Sequence, residues 1–385
     1  MPTDLLQIIQ GFEQIKASQR SAAIATVVKT SGSVYRRPGA RMLVAAHQQM
    51  IGAISGGCLE ADIWERAQPL LHQAVDPIVI TYDTTASQDI IWGLGMGCNG
   101  MVQVLLESLH TESAISHLEF ITQCWQQQQP GVIATIFQVT GAVNAQVSDR
   151  VLCKADQTVI HGIADQTLAT RLLQDTERCL ITGRSQVITY TLEQGTVEVF
   201  IDVIQPPVPL LVFGAGYDAI PVVQLAKQLG WQVTVIDHRP MYANDDRFPQ
   251  ANQIIVCHAD EILTQLNLNP QTIAIVMTHH YLQDQALLKL LLPSPIRYLG
   301  ILGSKSRTQQ LLQDLYHHGL QYTESQLQRL YAPIGLDLGA ETPDEIALAI
   351  VAEIQAVLNQ RSGQPLREKS GAIHDENQPC PVLVL

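Results

Sequence analysis

The chain has 385 residues, is 46% hydrophobic and carries a formal net charge of −13. That length predicts about two to three domains with real cores, and the acidic balance excludes the long-range attraction by which basic proteins find DNA, RNA or anionic membranes. The opening segment MPTDLLQIIQGFEQIKASQ reads as a short amphipathic helix with no continuous apolar core, so no secretory leader is expected. No run of about 18 apolar residues marks a membrane span. The seven cysteines (Cys58, Cys98, Cys124, Cys153, Cys179, Cys257 and Cys380) are odd in number and form no CxxC pair. They predict free thiols in a reducing cytoplasm rather than a disulfide framework or a zinc site.

After the first helix comes a β-rich stretch that recurs. The segment AIATVVKTSGSVYRRPGARMLVAAHQQMI from Ala23 aligns without a gap to VIATIFQVTGAVNAQVSDRVLCKADQTVI from Val132, at one constant offset throughout. Ile24, Ala25, Thr26, Gly32, Val34, Arg41, Leu43, Gln48 and Ile51 recur identically, which predicts two strands around a polar turn in each copy. Features confined to one copy are therefore unlike framework. The first copy has Arg36, Arg37 and Pro38 where the second has Ala145, Gln146 and Val147. It then runs into Ser55, Gly56, Gly57 and Cys58, where the second has Ala164, Asp165, Gln166 and Thr167.

In GAISGGCLEADIW, Cys58 follows two glycines, and Leu59, Ile63, Ala67, Leu70 and Leu71 lie near helical spacing. A thiol in a first helical turn feels the positive end of the dipole and tends toward thiolate, while Gly56 and Gly57 admit a ligand to the backbone. The alternative is a buried apolar cysteine. The arginines Arg36 and Arg37 suit a phosphate or carboxylate, or else face solvent on a turn. Further on, GLGMGCNG (93–100) packs four glycines into eight residues. Its backbone N–H groups can form an anion nest around Gly95, Gly97 and Cys98, or a bulged turn.

The Pro-rich QPPVPL (205–210) marks a linker between a front domain, 1–204, and a Rossmann-like domain, 211–362. The overall class is α/β: a β-rich α+β front domain followed by a parallel sheet. In the second domain, LLVFGAGYDA leads from a strand into a helix, and Gly214, Gly216 and Ala219 fit GxGxxA. Asp237 ends the next strand, at the spacing of about 20 residues where an acid takes ribose hydroxyls in dinucleotide-binding folds. Asp218, in the first turn of that helix, opposes a pyrophosphate there, so any NAD(P) is expected to bind weakly. His279 and His280 follow a later strand at the sheet's ligand-binding edge, and His279 with Asp284 is a candidate for positioning a ligand or proton. Thr342, Pro343 and Glu345 announce a final helix through a capping box. The residues from 363 to 385 read as a loose tail.

Taken together, SGSVYRRPGARMLV, IGAISGGCLEADIW, GLGMGCNG, LLVFGAGYDAIPVVQLAKQLGWQVTVIDHRP, MTHHYLQD, YLGILGSKSR and APIGLDLGAETPDEIALAIVAEI resemble the XdhC/CoxI family of xanthine dehydrogenase accessory factors. The resemblance covers most of the chain in family order; its one departure is the acidic Asp218. It implies a non-catalytic chaperone that binds the molybdenum cofactor (molybdopterin), protects it and assists its sulfuration before insertion into a molybdenum hydroxylase. The partners implied are that client enzyme and a sulfur-donating desulfurase, without nucleic acid or membrane, and a homo-oligomer is expected. On this reading Cys58 contacts the molybdenum with Cys98 nearby, and Gly56, Gly57, Gly95, Gly97, Arg36 and Arg37 complete the cofactor site. The alternative is an NAD(P)-dependent oxidoreductase or a nucleotide-binding regulatory protein working through the second domain.

Overall fold

The helix α1 (Pro2–Ala17) buries Ile8, Ile9, Phe12 and Ile15, which recur at helical spacing. A computed structural model describes residues 2–46, 49–83, 100–155 and 158–370. The chain divides into two units, Met1–Pro206 and Pro207–Leu385.

In the first unit, the repeat copies build two sheets of one design. Strands β1 (Ala22–Gly32), β2 (Arg41–Ala45) and β3 (Gln49–Gly52) are followed by α2 (Glu60–His72), β4 (Ile78–Asp83), β5 (Gly100–Ser108) and α3 (Glu112–Gln126). The second copy supplies β6 (Gly131–Gly141), β7 (Arg150–Cys153), β8 (Thr158–His161), α4 (Gln166–Thr182), β9 (Gln186–Leu192) and β10 (Gly195–Ile204). The strand orders are β3-β2-β1-β5-β4 and β8-β7-β6-β10-β9. Thus β6, β7 and β8 follow β1, β2 and β3 at the same offset as the sequence repeat. Gly32 pairs with Gly100 in one sheet, and Gly141 with Gly195 in the other. A Cβ at Gly195 would lie 1.9 Å from the Thr140 carbonyl oxygen, so this crossing admits only glycine.

Alternation sends one face of each sheet to its own helix. Ala23, Ala25 and Val27 cluster with Ile63, Ala67 and Leu70 of α2; Val132, Ala134 and Ile136 cluster with Leu168, Leu172 and Cys179 of α4. The opposite faces meet through Val28, Leu105, Phe137 and Phe200, and in a separate cluster Phe12 of α1 with Leu118 and Ile121 of α3 packs with Ile24, Leu43, Ile133 and Leu152.

At the inner face the copies exchange charges. Arg41 of the first copy donates from Nη2 to Asp202 Oδ2 on β10 at 2.6 Å. Arg150, its counterpart in the second copy, donates from Nη2 to Glu107 Oε2 on β5 at 2.5 Å. Arg41 Nη1 also reaches the Gly39 carbonyl, as Arg150 Nη1 reaches that of Ser148. Gly39 and Ser148 both have left-handed φ, +94° and +78°. Reciprocal contact of this kind is what a two-fold interface makes, here fused into one chain. His117 lies 3.3 Å from Arg41 Nη2. Burial and then the charges of Arg150 and Arg41 drive its pKa well below the usual range, so Nε2 accepts from the guanidinium.

The second unit is a parallel sheet. It comprises β11 (Pro209–Phe213), α5 (Ala219–Gln228), β12 (Gln232–Ile236), β13 (Gln253–Ile255), α6 (Ile262–Gln265), β14 (Ile273–Val276), α7 (Tyr281–Leu291), β15 (Tyr298–Ile301), α8 (Lys305–His317), α9 (Glu324–Leu327), β16 (Leu330–Tyr331) and α10 (Pro343–Leu358). The order β13-β12-β11-β14-β15-β16 is the doubly wound Rossmann order, with its switch point between β11 and β14. The α5 and α10 helices cover one face and α7 and α8 the other. Thr342 accepts from Glu345 N–H and Glu345 reaches back, closing the expected capping box on α10. The linker is shorter than the Pro-rich run: β11 already begins at Pro209, because a proline's missing N–H is tolerated at a strand's first position. Among the described residues no helix is long and apolar enough to cross a membrane.

Candidate functional sites

The second copy explains the setting of Cys58 by contrast. There Asp165, the counterpart of Gly56, caps α4 by accepting from Leu168 N–H at 2.9 Å, and the helix starts at Gln166. In the first copy Gly57 adopts φ +112°, a conformation helices do not continue through. The helix α2 then starts only at Glu60, with Leu59 as its N-cap. Cys58 consequently stands before the helix, not in its first turn as expected, and its thiol is exposed. By contrast, Cys124, Cys153, Cys179 and Cys257 are buried; burial pushes the Cys124 thiol to about 12 and that of Cys179 to about 11.

The unwound turn is held from within. The Ser55 hydroxyl accepts from the N–H groups of Gly57, Cys58 and Leu59 at 3.0, 3.0 and 3.1 Å. It donates in turn to the Glu60 carboxylate, which also accepts from Ser55 N–H at 2.8 Å and Leu59 N–H at 3.1 Å. Burial raises the Glu60 pKa, but the bonds from the Ser55 hydroxyl and the surrounding backbone outweigh it and hold the carboxyl below its ordinary value. Glu60 thus supplies the anion that the helix start favours. No sequence motif for a ligand includes it; the one clue is an acid two residues after the cysteine.

A cleft of about 30 Å³ opens beside the thiol, lined in part by Tyr35, Arg36, Ser55, Cys58 and Tyr82. Tyr35 is 71% exposed, and its ring lies 3.6 Å from where a Cβ on Gly56 would sit. Tyr82 donates to Asp62 Oδ2 at 2.5 Å. Arg36 is drawn into an ion pair with Asp4 at 2.5 Å, while Arg37 is exposed on the same turn. Gly95, Gly97 and Cys98 lie outside the described residues.

In the second unit, the turn after β11 approaches β14 so closely that a Cβ on Gly214, at φ +115°, would lie 2.5 Å from the Met277 carbonyl oxygen. Gly216 is filled differently: Asp218 Oδ1 lies 2.5 Å from its Cβ position. Ala219 is buried at the start of α5. Asp218 pairs with His279 Nε2 at 2.7 Å. The expected His279–Asp284 partnership is not formed, because buried Asp284 pairs with Arg307 at 2.6 Å and accepts from Thr278. It is His280, not His279, that lines the 140 Å³ cleft at the switch point, together with Gly214, Asp237, His238, Arg239 and Thr278.

Both carboxylate oxygens of Asp237 are already engaged. Its Oδ1 accepts from Arg239 N–H and Nε, both at 2.9 Å. Its Oδ2 accepts from Ala215 N–H and Arg239 Nη2, both at 2.8 Å. Burial raises its pKa, but these bonds and the Arg239 charge outweigh that and keep it low.

Removing Asp218 should relieve the charge facing an incoming pyrophosphate. Asp218→Ala is expected to tighten binding of an adenine dinucleotide about two- to fivefold, read by titration of the full chain. An unchanged or weaker affinity would remove the charge explanation.

A repeat-built double sheet carrying an exposed thiol at Cys58, followed by a doubly wound sheet with a glycine turn, defines a two-unit α/β protein. Residues 210–354 match the XdhC Rossmann domain. Residues 15–83 and 124–191 match the XdhC and CoxI family, and the second of these segments starts at the repeat's own offset from the first. The chain is 33% identical over 343 residues to a probable xanthine dehydrogenase subunit of Bacillus subtilis (strain 168), covering 89% of this chain and 95% of that one. It belongs to the XdhC and CoxI family. A crystal structure described as a xanthine dehydrogenase from Bacillus halodurans shares 28% identity and superposes with a TM-score of 0.74, over 94% of this chain and 98% of that one. The molybdenum cofactor insertion chaperone PaoD of Escherichia coli (strain K12) is 22% identical over 340 residues, 88% of this chain and 84% of its own.

The cleft beside Cys58 is only water-sized, so a molybdenum cofactor would meet the thiol from outside it, and the exposed surface there suits one end of that group. An exposed thiol is a soft donor for molybdenum, and Tyr35 and Tyr82 offer flat aromatic surface to a pterin. For the phosphate end, among the described residues, Arg36 gives Nη2 to Asp4 and keeps a buried Nε without a partner, while the N–H groups of Gly57, Cys58 and Leu59 are taken by Ser55 and Glu60.

Proposed function

We propose that this chain is a non-catalytic accessory protein of a xanthine dehydrogenase-type molybdenum hydroxylase. It holds the molybdenum cofactor while a desulfurase installs the terminal sulfur, then delivers it to the client. One observation carries the reading: the Cys58 thiol is lifted onto an exposed, unwound turn present in only one of two otherwise matching copies. The family relationship supports it, since one relative is named a molybdenum cofactor insertion chaperone. In this role Cys58 touches the metal, Tyr35 and Tyr82 flank the pterin, and Ser55 with Glu60 keep the turn open. When bound, the cofactor supplies the metal and the dithiolene sulfur; the chain supplies a soft ligand and a fixed loop.

The full chain, purified from cells able to make the cofactor, should carry molybdenum and a pterin fluorophore in matching amounts. Protein free of both, from cells whose hydroxylases are loaded, would sink the reading.

A nucleotide-dependent role for the second unit is favoured separately by the doubly wound strand order and the close approach at Gly214.

A further inference from the structure

At the end of β12 a ribose would meet a guanidinium rather than an acid. A carboxylate offers about four acceptor positions, and all of those on Asp237 are filled, three of the bonds coming from Arg239. Arg239 uses Nε and Nη2 on Asp237, which leaves Nη1 for another acceptor. Its side chain is 39% exposed and lines the cleft at the switch point. Its guanidinium carbon lies 4.2 Å from the centre of the Tyr242 ring, and that of Arg247 lies 4.9 Å from the same ring. Two cations are therefore gathered at one phenol, held by attraction to its face. Asp245 and Asp246 on the same loop are exposed, and among the described residues neither forms an ion pair with Arg239 or Arg247. His238, 3.5 Å from Asp237, and His258, whose ring centre lies 5.2 Å from that of His238 at a tilt of 32°, are the neighbouring titratable groups, with His280 and Cys257 also lining the cleft. Met241 and Tyr242 beside them are exposed and offer apolar surface to a base.

Hydroxyl groups of an unsubstituted ribose could only accept here, leaving their own O–H groups without the carboxylate partner that Asp237 would otherwise give. An anion on the ribose matches the remaining Arg239 donor. We propose that the second unit binds an adenine dinucleotide bearing a phosphate on the ribose 2′ oxygen, an NADP-type ligand, with Arg239 as the phosphate ligand and Arg247 as its supporting charge. The site does not rest on the molybdenum-cofactor reading, and either can fail alone.

The full chain is titrated with NADPH and NADH, following nicotinamide fluorescence. NADPH should bind at least about tenfold tighter, the scale of a charge-assisted contact. In Arg239→Ala the NADPH affinity should fall about tenfold or more, while NADH binding holds or improves because Asp237 is released to take the hydroxyls. Arg239→Lys should retain part of the preference, since it keeps the charge but loses the fork. Adenosine 2′,5′-bisphosphate should compete and its 3′,5′ isomer should not. Equal affinities for NADPH and NADH, no binding of either at millimolar concentration, or equal competition by the 3′ isomer would each overturn the assignment. If Arg239→Ala does not fold, the wild-type preference and Arg239→Lys still decide.

Discussion

Replacing Arg150 with alanine is expected to destabilise the first unit by about 3–5 kcal/mol, the cost of leaving a buried charge without its partner. Glu107 is 1% exposed and Arg150 is fully buried. The truncation leaves the buried Glu107 carboxylate without a counter-charge, with only the Ser148 hydroxyl still donating to it, and removes the donors that reach Ser113 and Ser148. For about 200 residues this is a fall in melting temperature on the order of 10 °C. Arg41→Ala should cost less. Its pair with Asp202 is slightly more open to solvent than the Arg150–Glu107 pair, so the stranded carboxylate is better screened. The double replacement Arg150→Met with Glu107→Leu should recover most of the loss, because two neutral groups leave no orphaned charge. Thermal and denaturant melts of the three variants check this order. A loss below about 1 kcal/mol for Arg150→Ala would mean that water reaches Glu107, and that the reciprocal pairing does not lock the copies together.

The pairing shows where local sequence stops informing. Arg41 and Arg150 are visible as repeated residues, but nothing near them names Asp202 or Glu107, which are 161 and 43 residues distant. The parallel sheet is legible because each strand, glycine turn and helix is a local pattern, as is the Thr342 to Glu345 capping box. The setting of Asp237 has the same origin in reverse. The motif places an acid at a strand end, and Asp237 is there, but an arginine two residues on fills it. At Cys58 the dipole reading assumes that a helix begins where the apolar periodicity begins. Gly57 at φ +112° delays it, and Glu60 takes the anionic place at its start. His279 is matched to Asp284 by closeness in sequence; folding brings Asp218 to it instead.

For Cys58→Ser the expected result is a normally stable protein that has lost most of its molybdenum. The Cys58 thiol is exposed, and the turn is held by Ser55 and Glu60 through main-chain N–H groups. The substitution therefore removes no packing and no bond that shapes the loop, and stability should change by less than about 0.5 kcal/mol. A hydroxyl is a poor ligand for a soft metal site, so metal content per folded chain should drop severalfold. Cys153→Ser supplies the opposite case. Its thiol is 2% exposed in β7 and packs against α4, so a hydroxyl there costs about 1–3 kcal/mol while cofactor retention per folded chain stays intact. Measuring molybdenum, pterin and melting temperature on both variants separates ligand from core cysteine. Full occupancy in Cys58→Ser would end the thiol's role as the metal contact. A large stability loss there would instead mean that the unwound turn depends on the sulfur itself.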